Sequence, residues 1–496
     1  MLGRFDGERI RLHEIHRFPN ESVALPDGLH WDVLHLYSNI KAILATACKE
    51  TDGAIDSLGI DTWGVDFGLL DRSGALVGNP LHYRDPRTNG MLDRAFHRVS
   101  RAEIYQATGI QAMPINTLCQ LLALEDTPLL AIAETMLPMP DLFRYWLSGE
   151  RTAEVTMATT TQLFHHGTAD WAWDIIDRLG MPARIFPPLV PPGGAGAPLR
   201  ADVAIEAGLR SRPPMVTVAS HDTASAVVAV PASNEHFAYI SSGTWSLVGV
   251  ELPAPVLSMA AMEANFTNEG GIDGTIRFLK NVMGLWLLQE SRRTWARAGY
   301  DADYDELTAL AAAAPPFISL IDPDHPSFLS PGDIPARIAA YCRETGQRPP
   351  DGPGATVRCI LESLALKYRW VIERIEALTD HPIRTIHVVG GGARNALLCR
   401  LTADATRRPV LAGPVEATAL GNVLVQAMAR GRLGSLADIR DVVRRTVEVT
   451  HFEPAGEAAT WDEAYGRLRS LMEAHEDSGM SEPARQGAVG QDEFIE

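Results

Sequence analysis

The sequence predicts a mixed α/β chain of two lobes around a cleft, and three observations carry that prediction. At 496 residues the chain is too long for one ordinary core and fits two large domains or three small ones. Strand-like runs alternate with segments of helical periodicity from end to end. Several of those strands also finish in turns of Asp, Ser, Thr and Gly: Ile60-Asp61-Thr62, Ala219-Ser220-His221-Asp222-Thr223 and Ser241-Ser242-Gly243-Thr244. Such endings are expected where the carboxyl ends of several strands point into a single cleft.

The elements follow in order. Met1 to Phe5, an Asp6-Gly7 turn and Arg9 to Phe18, with Ile10 and Leu12 on one face, read as a hairpin. Trp31 to Lys49 carries Val33, Leu34, Ile40, Ile43 and Leu44 at helical spacing, and Ser57 to Asp61 reads as a strand ending in Asp61-Thr62-Trp63-Gly64. Val65 to Leu70, a turn at Asp71 to Gly74 and Ala75 to Val77 then lead into Tyr83-Arg84-Asp85. Helices dominate Asn89 to Gly180, interrupted at Pro114 and Pro138-Met139-Pro140, before a Pro- and Gly-rich surface loop from Pro187 to Pro198. The strand Met215 to Ala219 precedes the Ser220 run, and Phe237 to Ser241 and Ser246 to Val250 open a second sheet. The longest amphipathic helix spans Arg358 to Leu378, where Leu361, Leu364, Tyr368, Val371, Ile375 and Leu378 recur every three or four residues. It leads into the strand Thr385 to Val389, the triplet Gly390-Gly391-Gly392 and a helix over Ala393 to Leu401. Gly413-Pro414-Val415-Glu416-Ala417 opens a further helix, with Ala417 and Gly421 one turn apart. Ser478 to Glu496 is polar and acidic and reads as a disordered tail.

Composition narrows the function. With 46% hydrophobic and 21% charged residues the chain is an ordinary globular protein. The 44 basic and 62 acidic residues leave a formal charge of −18, which repels nucleic acid and anionic membrane alike. A bound nucleotide would therefore rely on local amides, helix N-termini and Mg²⁺. No apolar run approaches the roughly 18 residues of a spanning helix, and Met1 to Glu8 has no signal-peptide core, so a cytoplasmic location is expected. The five cysteines lie far apart without a Cys-x-x-Cys pair and are expected to be buried thiols.

The Ser220 run carries the most chemistry. A carboxylate at a strand's carboxyl end, Asp222, can accept the proton of a bound alcohol as general base; it could equally be a structural acid or helix N-cap. His221 beside it reads as orienting or structural. Ser242-Gly243-Thr244 offers amides and a hydroxyl to a phosphate. The Gly390 triplet follows a strand but lacks the Lys of a Walker A loop, leaving either a strand-to-helix turn or a loop that admits an adenine or ribose. The spacing of Ala417 and Gly421 suits either a nucleotide or close helix packing. Trp63 and Tyr83 offer aromatic surface, and Arg84, Asp85, Asn281 and Gln289 offer polar groups suited to sugar hydroxyls. Base, hydroxyl turn and glycine loop together point to phosphoryl transfer to an alcohol.

In order, these runs resemble the FGGY carbohydrate kinases along nearly the whole chain. The likeness rests on Glu14-Ile15-His16-Arg17-Phe18, Gly59-Ile60-Asp61-Thr62-Trp63-Gly64-Val65-Asp66-Phe67, Tyr83-Arg84-Asp85 and Arg87-Thr88-Asn89-Gly90. It continues through Ala158-Thr159-Thr160-Thr161-Gln162-Leu163, the Ser220 and Ser241 runs, Leu279-Lys280-Asn281 and Met283 to Gln289, and ends with Val389 to Gly392 and Ala412 to Ala417. The resemblance implies a two-domain actin-like ATPase (ribonuclease H-like) α/β fold with a central cleft. Residues 1–229 would form the sugar-binding domain, 230–445 the nucleotide-binding domain and 446–477 a helix packing back on the first domain, with 478–496 as the tail. Within the family the likeness is greatest to members that phosphorylate L-rhamnulose on its C1 hydroxyl, in L-rhamnose breakdown. Asp222 would be the catalytic base. Gly64, His221, Asp222, Thr223 and Asn281 would contact the sugar, and Thr244, Gln289 and Gly391 the ATP. Mg²⁺ would bridge the phosphates with no protein ligand assigned. The expected partners are a small ketose and ATP, and the expected assembly is a monomer or small homo-oligomer.

One departure from the family stands out. Its members begin with a strand and an Asp-x-Gly turn that supports Mg²⁺ and the phosphates, whereas Met1 to Phe5 resembles the second strand, so the first strand of the first domain is expected to be missing. A translation start assigned too late at an internal Met is the favoured explanation, and a real truncation the other. Two rival functions stay open: the specificity of a fuculokinase or xylulokinase, and a catalytically impaired protein that binds sugar or nucleotide.

Overall fold

A computed structural model describes residues 1–481. Its largest sheet has seven strands in the order Thr267–Gly270, Ile276–Met283, Trp245–Leu252, Phe237–Ser242, Thr385–Val389, Val410–Ala412 and Thr450–Phe452. Phe237–Ser242 pairs parallel with Thr385–Val389, which pairs parallel with Val410–Ala412; the other pairings are antiparallel. The central strands are apolar on both faces because both are covered. Ala238, Ile240, Ile386 and Val388 point into a core shared with the long helix Gly352–Thr379. Phe237, Tyr239 and Val389 point the other way, against the helices Ala417–Ala429 and Leu436–Thr446. Gly352–Thr379 begins six residues before the expected start, where Pro353 sits in its first turn, a position that requires no amide hydrogen.

The C-terminal helix differs from expectation. Residues 446–477 were expected to pack back on the first lobe, but Ala458–Ser481 lies on the helices Gly352–Thr379 and Ala396–Thr406 of the second. Trp461, Tyr465, Leu468 and Met472, three or four residues apart, complete the second lobe's core. Asp462 fixes the register by pairing with Arg369 at 2.8 Å and with Arg407. Residues 478–481 continue this helix, and the rest of the expected tail lies outside the described residues.

The first half of the chain is built from shorter ladders. The expected hairpin forms from Leu2–Phe5 and Ile10–His13, its turn closed by Asp6, whose carboxylate accepts the amides of Glu8 (2.9 Å) and Arg9 (2.8 Å). The expected helix runs Val33–Glu50 with Asp32 as its N-cap. Ser57 to Asp61 is extended but pairs through single parallel bridges, Leu58 to Met215 and Thr62 to His221. The Pro- and Gly-rich segment expected as loop contributes an edge strand, Gly194–Pro198, against Pro214–Thr217. All five cysteines are buried free thiols. Among the described residues no helix is long and apolar enough to cross a membrane.

A helix crossing and a strand-to-helix contact are among the contacts that join the halves. Helix Asp222–Val228 crosses helix Ala417–Ala429 at Gly421, where an added Cβ would lie 1.8 Å from the Ser225 carbonyl oxygen. Of the two readings of the Ala417 and Gly421 spacing, this contact fits helix packing. Thr418 Oγ1 adds a hydrogen bond to the Asp222 carbonyl at 3.2 Å. Strand Thr267–Gly270 docks on helix Val155–Thr160, with the Gly270 amide donating to Thr159 Oγ1 at 2.9 Å.

Gly421→Ala is predicted to lower unfolding stability by about 3 kcal/mol, because the obstacle is backbone that cannot rotate away; denaturant unfolding that shows no loss would contradict this helix contact. A second prediction concerns the buried Glu154, which accepts the amides of Thr156 (2.8 Å) and Ser220 (3.0 Å). Burial pushes its carboxyl up from 4.5 to about 7. An acid whose pKa is higher folded than unfolded holds its proton more tightly in the folded state, so its contribution is complete below about 4.5 and is lost as pH rises through about 7. Glu154→Gln should therefore flatten the fall of Tm with rising pH across that window, as read by calorimetry at a series of pH values.

Candidate active site

Asp222 is the first residue of its helix, and His221 takes the N-cap position. Its side chain is 43% exposed, caps no amide and accepts a hydrogen bond from Thr223 Oγ1 at 3.1 Å. The carboxylate is thus held at the end of the Met215 to Ala219 segment and remains open to a ligand. Its amide donates to the Thr62 carbonyl at 2.9 Å, tying it to the other strand end that reaches the cleft. There Asp61 supplies a second carboxylate: desolvation pushes it up to about 6, the nearby Asp222 charge adds to the rise, and the Asn422 amide opposes it.

Gly64 lies between Thr160 and His221, and an added Cβ would meet Thr160 Oγ1 at 3.3 Å and His221 Nε2 at 3.4 Å. Val65 next to it has φ +67, a left-handed conformation that costs a β-branched residue about 1–3 kcal/mol. Three hydrogen bonds hold it: its amide donates to Thr160 Oγ1 (3.2 Å), and its carbonyl accepts from Thr117 Oγ1 (2.6 Å) and Gln120 Nε2 (3.2 Å). Asp66 is buried beneath, accepting from the indoles of Trp31 (2.6 Å) and Trp63 (2.9 Å) and from Gln120 (2.9 Å). Burial pushes this carboxyl up to about 6. Trp63 is therefore engaged with Asp66 as part of the frame.

A charged cluster stands behind His221. Its Nδ1 lies 3.2 Å from Glu269 Oε2 and 3.2 Å from Arg277 Nη2, its Nε2 is 3.6 Å from Asp222 Oδ1, and Glu269 and Arg277 pair at 3.1 Å. Burial works against the Glu269 charge, but the Arg277 guanidinium above all holds its carboxyl below the usual range. Asn281 is fixed from the first half of the chain by Gln111, whose Oε1 accepts the Asn281 amide (2.9 Å) and Nδ2 (3.2 Å). Gly64, His221, Asp222 and Thr223 thus form one cluster, and Asn281 joins it through Glu269.

Thr244, Gln289 and Gly391 belong to a second cluster. Thr244 Oγ1 donates to Gln289 Oε1 at 3.2 Å, and the Thr244 carbonyl accepts the amides of Gly284 (3.2 Å) and Trp286 (3.1 Å), which open the helix carrying Gln289. Gln289 lines a cavity of about 410 Å³ with Arg292, Arg293, Ala296, Asp301 and Tyr304. The glycine loop abuts the same turn. Gly390 adopts φ +81, and a Cβ on Gly392 would lie 2.0 Å from Ser242 Oγ, whereas one on Gly391 would meet nothing within 4 Å. The flanking glycines are required by packing, and Gly391 faces open space. A larger cavity of about 610 Å³ opens between the Ile10–His13 strand and the Ala393-Arg394 and Gly413 to Glu416 segments, and it includes none of the expected sugar contacts. The two clusters are joined by one ladder, in which Asn281 opposes Leu247 and Met283 opposes Trp245.

The other polar residues of the sequence reading have structural partners. Arg84 stacks on Trp286 at 4.0 Å and donates to the Leu329 carbonyl at 2.5 Å, and Asp85 accepts the amides of Leu29 (2.7 Å) and Arg87 (2.9 Å). Gln111, Glu154, Thr160, Glu269 and Arg277 were not singled out from the sequence. Only Thr160 carried any signal, as part of the Ala158 to Leu163 run on which the family resemblance rests.

Comparison with known proteins extends these observations. The N-terminal domain model of the FGGY family of carbohydrate kinases matches residues 11–229, and the C-terminal domain model matches 238–430. A rhamnulokinase of Bacteroides thetaiotaomicron is 44% identical over 474 residues, covering 95% of this chain and 96% of its own. One from Pectobacterium atrosepticum is 42% identical, covering 91% and 89%. Among solved structures, a xylulose kinase from Lactobacillus acidophilus superposes with a TM-score of 0.77 at 15% identity, covering 95% of this chain and 94% of that one. A glycerol kinase from Plasmodium falciparum gives 0.75 at 14% identity, covering 95% of each. At such identities the likeness is one of fold, and it is the two-domain actin-like α/β fold expected from the sequence. Matched by both domain models over most of its length, the chain belongs to the FGGY family of carbohydrate kinases.

Proposed function

We propose that this chain transfers the γ-phosphoryl group of MgATP to the C1 hydroxyl of L-rhamnulose, giving ADP and L-rhamnulose 1-phosphate. The observation that carries the reading is the half-exposed Asp222 carboxylate, set beside Gly64 and His221 in a chain whose relatives include rhamnulokinases. The sugar would lie against Gly64 with its hydroxyls toward His221, Thr223 and Asn281. Thr244, Gln289 and Gly391 would take the nucleotide.

Phosphoryl transfer of this kind needs positioning more than covalent chemistry. The C1 oxygen attacks the γ-phosphorus in line, the bond from phosphorus to the β,γ-bridging oxygen breaks, and ADP leaves. The C1 hydroxyl proton passes to Asp222 as the new bond forms and later returns to solvent. Magnesium would arrive with the nucleotide, as part of the substrate. Closure of the cleft would exclude water, the competing acceptor. A cytoplasmic monomer or small homo-oligomer is the setting we infer, in keeping with five unpaired buried thiols.

ADP release measured over L-rhamnulose, L-fuculose, D-xylulose and glycerol should favour L-rhamnulose; a higher kcat/KM for another acceptor would reassign the substrate. Asp222→Asn should lower kcat by about 100-fold or more while calorimetry shows MgATP binding retained, and near-normal turnover would remove Asp222 from its role. Gly64→Ala narrows the gap between Thr160 and His221, so KM for the sugar should rise roughly tenfold with KM for MgATP unchanged.

A further inference from the structure

We propose that Arg277 and Glu269 are positioning residues that lock His221 in the tautomer carrying its hydrogen on Nε2, so that the imidazole donates into the acceptor pocket beside Asp222. The inference deepens the proposed kinase reading and rests on it for the identity of the pocket.

The argument starts from what each group can offer. A guanidinium only donates hydrogen bonds. Arg277 is fully buried; its Nε donates to the Gly270 carbonyl at 2.9 Å, and its Nη2 lies in hydrogen-bonding geometry 3.2 Å from His221 Nδ1. Nδ1 must then present its lone pair, because a hydrogen there would face the hydrogens of Nη2. The ring hydrogen is left on Nε2. Glu269 Oε2 is also 3.2 Å from Nδ1 but makes no hydrogen bond to it, and at 3.1 Å from the same Nη2 it balances the buried guanidinium charge.

The free edge of the imidazole faces the pocket. Nε2 lies 3.6 Å from Asp222 Oδ1 and on the side where Gly64 leaves space. An N–H there donates to a ligand oxygen or to the carboxylate, and in both cases Asp222 remains the proton acceptor. With the other tautomer the pocket would contain two acceptors and no donor from this pair. The backbone fixes the other side of the ring: the His221 amide donates to Thr156 Oγ1 at 3.1 Å. His221 precedes the helix of the base, whereas Glu269 and Arg277 come from the adjacent strands Thr267–Gly270 and Ile276–Met283 of the other lobe.

The test is nitrogen-15 NMR of the full chain labelled at histidine, with the His221 resonances assigned by their loss in His221→Asn. The wild type, without sugar, should show hydrogen on Nε2 and a bare Nδ1; hydrogen on Nδ1 would overturn the proposal. In Arg277→Met the hydrogen should move to Nδ1, facing Glu269, and kcat should fall about tenfold or more while KM for MgATP stays within about twofold. A moved hydrogen with unchanged kcat and sugar KM would also overturn it. Should the single variant fail to fold, the wild-type spectrum decides alone, with hydrogen on Nε2 expected and hydrogen on Nδ1 overturning the proposal. Because the tautomer is read without substrate, a wild type that ignores L-rhamnulose refutes the proposed substrate and leaves the spectrum to decide the role of Arg277.

Discussion

The absence of a side chain at Gly421 sets the spacing on which the rest of the molecule depends. The two helices that cross there each follow a strand of their own lobe, and the closeness of the crossing brings those strand ends to a common cleft. Asp222 opens one of the two helices, and its carbonyl is bonded by Thr418 of the other. The candidate base is therefore located relative to both lobes through contacts to its own helix backbone, whatever its carboxylate meets.

The two sides of the cleft are built from different materials. On the proposed sugar side, side chains dominate: a histidine, a carboxylate, an amide and a threonine, backed by buried charges that balance one another. A polyol presents donors and acceptors together, and only such a mixture matches it. On the proposed nucleotide side the work falls to the Ser242–Thr244 turn and a glycine loop. An anion approaching a chain of formal charge −18 meets amides at close range and little net attraction from afar. Val65 belongs to the first side, and its left-handed backbone is held by three hydrogen bonds from helices packed around it.

Much of the fold was legible because its signals are local. The Asp6-Gly7 turn, the apolar stripe of Gly352–Thr379 and the glycines at 390 and 392 each express a constraint within a few residues. The cluster of Gly64, His221, Asp222 and Thr223 was legible for the same reason, since each lies in a strand-end turn. Glu269 and Gln111 were not, because the residues they meet across the cleft, His221 and Asn281, lie 48 and 170 residues away. The C-terminal helix shows the limit most clearly: its stripe of Trp461, Leu468 and Met472 states that one face is buried, and the neighbour it chooses is a property of the assembled second lobe. Asp222 fits both local readings in part, standing at a helix start yet leaving the capping position to His221.

The pairing of Gln111 with Asn281 and of His221 with Glu269 and Arg277 means that neither lobe is a free-standing module. Each holds half of a polar match whose complement is encoded more than 40 residues away in the other. Exchange of one lobe between relatives by recombination would thus inherit a cleft of the right shape with mismatched hydrogen bonds. A change at one of these residues strands a polar group of the opposite lobe, and the boundary between the lobes is the place where a chimaera pays for it.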